Sequence, residues 1–167
     1  KRIKQLYKQV YYGIDKNDES KKMTAIVTFR NEYDEVEKTI ASIRATTTNM
    51  PIVLVNDASD KDYDYKFVAE KYHCEYIENE VASGVAGSRI DAMTLVKTPY
   101  IIILDAHMRM YENDWDQRAI KIIEEYGTEN IYEGHSITLR KAGTNFTTNE
   151  NAEKIDNVYG AILVGDK

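Results

Sequence analysis

Five apolar residues in a row, Tyr100-Ile101-Ile102-Ile103-Leu104, end abruptly at Asp105. A run this short without polar alternation fits a strand buried on both faces, not one with a solvated side. Two similar runs precede it, residues 23–29 and residues 52–55, and a short one fits residues 75–77. Between them lie segments with helical spacing. Val36, Ile40 and Ile43 mark a helix over residues 34–45, a second fits 65–72, and Gly84 opens a third that the periodicity carries to Val96. Strands and helices alternating in this way predict an α/β fold, a mainly parallel central sheet with helices on both faces. In such sheets ligands bind at the carboxyl ends of the strands.

The flanking segments are less regular. Ile3, Leu6, Tyr7, Val10 and Tyr11 predict a leading helix, and residues 13–22 read as a polar linker, so that residues 1–22 precede the domain. Downstream, Trp115, Ile120, Ile122 and Ile123 predict a helix to about Tyr126. Strands are expected near 130–132 and 136–139, and an apolar run covers 158–164.

Composition removes several classes. At 43% hydrophobic and 30% charged the chain is globular, and eight glycines and two prolines exclude collagen-like and linker-like sequences. No apolar run approaches the roughly 20 residues of a membrane helix, and no signal segment opens the chain, so a soluble, cytoplasmic protein is expected. The single Cys74 excludes an internal disulfide and a multi-cysteine zinc site, and reads as a small buried hydrophobe. With 22 basic and 28 acidic residues the net charge is −6, against broad binding to nucleic-acid backbone. A polyanionic ligand would need a local basic site or a metal ion.

The strand ends carry the residues able to supply either. Thr28, Phe29, Arg30, Asn31 and Glu32 follow the first strand, Asp57 the second, and Asp105, Ala106 and His107 the central one. Arg89 lies near the start of the third helix. An aspartate and a histidine two residues apart can direct an oxygen and a nitrogen at one cation, a mixture suited to Mn2+ or Zn2+ more than Ca2+. The same triplet also forms ordinary turns. Asp57 reads either as a turn or cap residue or as an acceptor for the imide N–H of a uracil ring, and Arg89 either as a solvated residue or as facing a phosphate. The glycines Gly84 and Gly87 do not form a dinucleotide fingerprint, and no phosphate loop of the G-x-x-x-x-G-K type occurs.

The strings TAIVTFRNE, IVLVNDASD, GVAGSRIDAM and YIIILDAHMRM, in that order and with Trp115 downstream, resemble the nucleotide-sugar-binding half of GT-A fold glycosyltransferases. The likeness is greatest to family 2 and to polypeptide N-acetylgalactosaminyltransferases, whose metal motif is also Asp-x-His. It implies a metal-dependent glycosyltransferase, of hexosyl- or N-acetylhexosaminyl-transferase type, using a UDP-sugar and Mn2+ or Mg2+. By that resemblance Thr28 and Phe29 line the uracil pocket, Asp57 holds the uracil edge, and Arg89 lies near the diphosphate. Arg30, Glu32 and Ala106 belong to the donor-binding set, and Asp105 and His107 bind the metal. Two positions depart from the family pattern, Asn56 where a first acidic residue is usual and Arg30 where histidine is.

His135, 28 positions after His107 in an expected strand edge, reads as a surface or packing residue more than as a further metal ligand, and no catalytic base is assigned, Asp156 and Asp166 having no better support. The acceptor, whether glycan, lipid carrier, protein or modified nucleic acid, is left open. The chain starts at Lys1 without methionine and stops soon after an apolar run. The expectation is therefore a GT-A domain over residues 23–167 truncated on its acceptor side. A non-catalytic nucleotide-sugar-binding or scaffold module is the alternative, and a sugar nucleotidyltransferase is disfavoured because TFRNE is not a glycine-rich phosphate loop.

Overall fold

A computed structural model describes residues 21–126 and the backbone of two short strand pieces, 132–133 and 161–162. The helix expected over residues 1–12, the strand over 136–139 and His135 lie outside the described residues.

Strands β1 (Met23–Phe29), β2 (Ile52–Asn56), β3 (Glu75–Glu78) and β4 (Tyr100–Asp105) alternate with helices α1 (Asp34–Thr46), α2 (Tyr65–Lys71) and α3 (Gly84–Met93). Helix α4 (Trp115–Tyr126) follows, then β5 (Tyr132–Glu133) and β6 (Ala161–Ile162). Among the described residues the sheet has six strands in the order β3-β2-β1-β4-β6-β5. The first four are mutually parallel, and β6 runs antiparallel to both β4 and β5. The α/β architecture expected from the apolar runs is the one the chain adopts.

Alternation along each strand divides the core in two. Met23, Ala25, Val27 and Phe29 of β1, with Ile52, Leu54, Ile102 and Leu104, face α1, α2 and α4. Ile26, Val53, Val55, Ile101 and Ile103 face α3 and Val96 on the opposite side. Full burial of side chains such as Ile40 or Leu54 contributes about 1.5–3 kcal/mol each. Cys74 packs at the margin of the first cluster, where burial pushes its thiol up to about 11 against the opposing effect of Arg44. It is a packing residue and not a thiolate at neutral pH.

Helix α3 is shorter than the periodicity predicts. It stops at Met93, where Thr94 N donates to Asp91 O at 3.1 Å, Thr94 Oγ1 donates to the same oxygen at 2.7 Å, and Leu95 N donates to Ala92 O at 3.0 Å. These tight bonds end the helix, while Val96 stays 8% exposed by packing from the loop. The apolar spacing runs past the helix because the loop completes the same core.

The order of the sheet matters for function. From β1 the chain moves outward through β2 and β3, then returns across β1 to place β4 on its other side. That reversal puts the switch point of the sheet, the usual ligand position in such folds, at the carboxyl ends of β1 and β4.

Candidate functional site

The register brings the strand ends level. Thr28 is paired with Asp105 and Phe29 with Asn56, and Asp57 N donates to Phe29 O at 2.8 Å to close the β1–β2 ladder. Thr28, Asp57 and Asp105 therefore share one end of the sheet. Phe29 contributes only its backbone there, because its ring is 5% exposed and packs on Tyr65 with centroids 4.7 Å apart.

Glu32 reaches across from the β1–α1 loop. Its Oε2 lies 3.6 Å from Nδ1 of His107, with both side chains partly open to solvent. The loop carrying it is held in an unusual shape, with positive φ at Asn31 (57°) and Tyr33 (45°). Bonds to the β2–α2 loop stabilise that shape. Asn31 N donates to Ser59 Oγ at 2.9 Å, Asp60 N donates to Asn31 Oδ1 at 2.7 Å, and Asn31 Nδ2 donates to Asp60 Oδ2 at 3.1 Å. Tyr33 N donates to the Tyr65 hydroxyl at 2.8 Å. Ser59 and Asp60 read in sequence simply as turn formers, and nothing local shows that they fasten two loops together. Arg30 is exposed.

Asp57 is buried and heavily bonded. Its Oδ1 accepts from Ser83 N at 2.7 Å, Ser83 Oγ at 3.1 Å and Asn79 Nδ2 at 3.3 Å, and its Oδ2 accepts from Gly84 N at 2.9 Å. Burial by itself raises the pKa of this carboxyl, but the bonds from the Ser83 amide, Asn79, Ser88 and the Ser83 hydroxyl outweigh it and hold the group at about 2. Asp57 thus caps α3 from another strand, doing what the Ser83 side chain at the N-cap does not.

Two glycines permit this start. Gly84 has φ of +73°, and a Cβ on Gly87 would stand 2.6 Å from Ser83 Cβ. Gly87→Ala is expected to lower stability by about 1–3 kcal/mol, with Ser83→Gly relieving much of the loss. Equal urea midpoints for Gly87→Ala and the parent chain would refute that close approach.

One turn into α3, Arg89 is half-buried, and its Nε is shielded from solvent with no hydrogen-bond partner. Buried unpaired donors are uncommon, and a bound anion is one way of satisfying them. Asp105 and His107 supply a carboxylate oxygen and an imidazole nitrogen at the exit of β4. Among the described residues no three acidic, histidine or cysteine side chains form a closed metal cage. The pair would supply two donors to an open site for a divalent cation such as Mn2+ or Mg2+. A cavity of about 420 Å³ beside the β2–α2 loop, lined by Asn56, Tyr63, Tyr65 and Tyr76 among others, includes none of Asp105, His107 and Arg89. No helix among the described residues is long and apolar enough to cross a membrane.

The sequence profile "Glycosyl transferase family 2" matches residues 24–152. No curated protein matches the chain by sequence. Among solved structures, the mannosyltransferase PcManGT from Pyrobaculum calidifontis, determined with GDP-Man and Mn2+, is similar with a TM-score of 0.55 and 19% identity over 61% of this chain and 32% of that one. TarS from S. aureus is similar with a TM-score of 0.55 and 19% identity, over 63% of this chain and 20% of that one. The chain thus spans about a third or less of the length of these two proteins. A profile match over most of the chain, on a parallel sheet with this strand order, makes the protein a member of glycosyltransferase family 2 with a GT-A-like fold.

Proposed function

We propose that the switch point at the strand ends is the donor site of a metal-dependent glycosyltransferase that binds a UDP-sugar and gives up the sugar to an acceptor nucleophile. The observation that carries the reading is the meeting of Glu32 and His107 at 3.6 Å beside Asp105, with the unpaired Arg89 Nε one helix turn from the α3 start. A carboxylate and an imidazole at one sheet end suit a diphosphate and its cation, and the unpaired guanidinium on α3 favours the same class of ligand. PcManGT, solved with GDP-Man and Mn2+, supports the class of ligand.

In this reading Asp105 and His107 hold the cation, which supplies Lewis-acid neutralisation of the departing diphosphate. Arg89 pairs with the phosphates from the α3 side. Thr28 and the backbone of Phe29 border the base, Arg30 lies along the same rim, Ala106 is buried and only joins Asp105 to His107, and Glu32 orients the His107 ring through its Nδ1. Asp57 Oδ2 accepts from Gly84 N, and a carboxylate oxygen with two lone pairs is the group assigned to the imide N–H of uracil. The hydrogen bonds of the β1–α1 loop hold these groups in place before the donor arrives, which lowers the ordering cost of binding.

Calorimetry with UDP and with GDP, each with and without Mn2+, tests the proposal. The expected result is binding of UDP that requires Mn2+ and exceeds binding of GDP. If neither nucleotide binds in the presence of Mn2+, the donor-site reading is wrong. A preference for GDP would overturn the uracil assignment alone.

A further inference from the structure

Helix α1 presents Glu35, Thr39, Ser42 and Thr46 at spacings that align them in one stripe along the helix. Every one of them bonds to the segment leaving β4. The Thr39 hydroxyl lies 2.5 Å from Ala106 O and 2.8 Å from Met108 O, so that one proton serves two carbonyls. Ser42 Oγ accepts from Met110 N at 3.0 Å. Thr46 accepts twice, from Asp114 N on its carbonyl at 2.8 Å and from Trp115 Nε1 on its hydroxyl at 3.0 Å. Arg109 closes the set, donating to Thr39 Oγ1 at 3.0 Å and to Met108 O at 2.8 Å, and pairing with Glu35.

These bonds flank one residue. Ala106 and Met108, the neighbours of His107, both rest their carbonyls on Thr39, whereas the His107 side chain is 56% exposed and has little packing to restrain it. Thr39 itself is fully buried. Valine would fill the same space, so packing does not account for a hydroxyl at this point. The bonds fix the backbone from which Asp105 and His107 project.

We infer that Thr39, assisted by Arg109, is a positioning residue for Asp105 and His107, and that the α1 stripe sets the affinity of the donor site for its cation. The inference rests on the donor-site reading above. Groups that orient metal ligands commonly change metal affinity by ten- to a hundredfold when removed.

The test uses the full chain and four variants, Thr39→Val, Thr39→Ser, Arg109→Met and the remote exposed control Lys97→Ala. Amide hydrogen exchange over residues 106–110 is measured without ligand, and Mn2+ affinity is measured with UDP present by electron paramagnetic resonance. Thr39→Val and Arg109→Met are expected to speed exchange about tenfold and to weaken Mn2+ binding about ten- to a hundredfold. Thr39→Ser should restore both quantities and Lys97→Ala should alter neither. Unchanged exchange overturns the clamp. Faster exchange with unchanged Mn2+ affinity makes the stripe merely structural and overturns the positioning role. Should Thr39→Val fail to fold, Arg109→Met decides alone, since its side chain is partly exposed. If the parent chain binds no Mn2+ with UDP, the donor-site reading falls and takes the positioning role with it, while the exchange data still show whether the loop is clamped.

Discussion

Replacing Asp105 with alanine is expected to weaken Mn2+-dependent binding of UDP by about a hundredfold or more while leaving the unfolding midpoint almost unmoved. The two halves of this expectation have separate causes. Asp105 is partly exposed at the last position of β4, and its backbone, not its carboxylate, makes the turn with Met108. Truncating it leaves no buried partner unsatisfied, so the stability change stays within about 0.5 kcal/mol. In the proposed donor site, in contrast, a cation would lose the one charged side chain of the two donors assigned to it. A loss of about 3 kcal/mol in such a site corresponds to roughly a hundredfold in affinity. Calorimetry with UDP and Mn2+, alongside urea denaturation, reads both quantities. Parental affinity in Asp105→Ala would remove Asp105 from the metal site, and a large fall in stability would mean that its role is to hold the strand end.

The sequence shows some of this plainly and conceals the rest for physical reasons. β1, β2 and β4 are legible because both their faces are buried, which leaves uninterrupted apolar runs, and Asp105 stands out as the first charge after such a run. The β4 end is where donor atoms are expected from the sequence, because parallel sheets present ligands at the carboxyl ends of their strands. Thr39, Ser42 and Thr46 are harder to read. Hydroxyl residues on an amphipathic helix ordinarily mark its solvated side, yet Thr39 is completely buried and Thr46 nearly so, because the Thr39 hydroxyl meets the carbonyls of Ala106 and Met108 and the Thr46 hydroxyl meets the Trp115 indole, some 70 positions later. Helical spacing aligns these residues, but only the tertiary structure shows which polar surface they meet. Asn31 with Asp60, and Asp57 with Ser83, are likewise joined by loops that are distant in sequence.

Asp57 is expected to govern the acid side of the stability curve. Its folded pKa is about 2 against an ordinary value of 3.8, so the folded chain takes up this proton less readily than the unfolded chain. The stabilisation is therefore complete above about pH 4 and is lost as pH falls from about 4 to about 2. At about 1.4 kcal/mol per pH unit the depression amounts to about 2.5 kcal/mol at neutral pH. Asp57→Asn should forfeit about that much at pH 7 and flatten the decline between pH 4 and 2, as measured by urea denaturation at each pH. Asp57→Ala should cost more, about 3 kcal/mol or above, since it also leaves the amides of Ser83 and Gly84 without their acceptor at the start of α3. An Asp57→Asn chain with the parental acid profile would refute the cap. The same contact links stability to the proposed donor site: Asp57 anchors the end of the helix that carries Arg89, so loosening it would shift the guanidinium assigned to the phosphates. Asp57→Asn should consequently weaken UDP binding even at pH 7, where the parent carboxylate is fully ionised, and the loss should persist with a nucleotide whose base makes no use of Asp57.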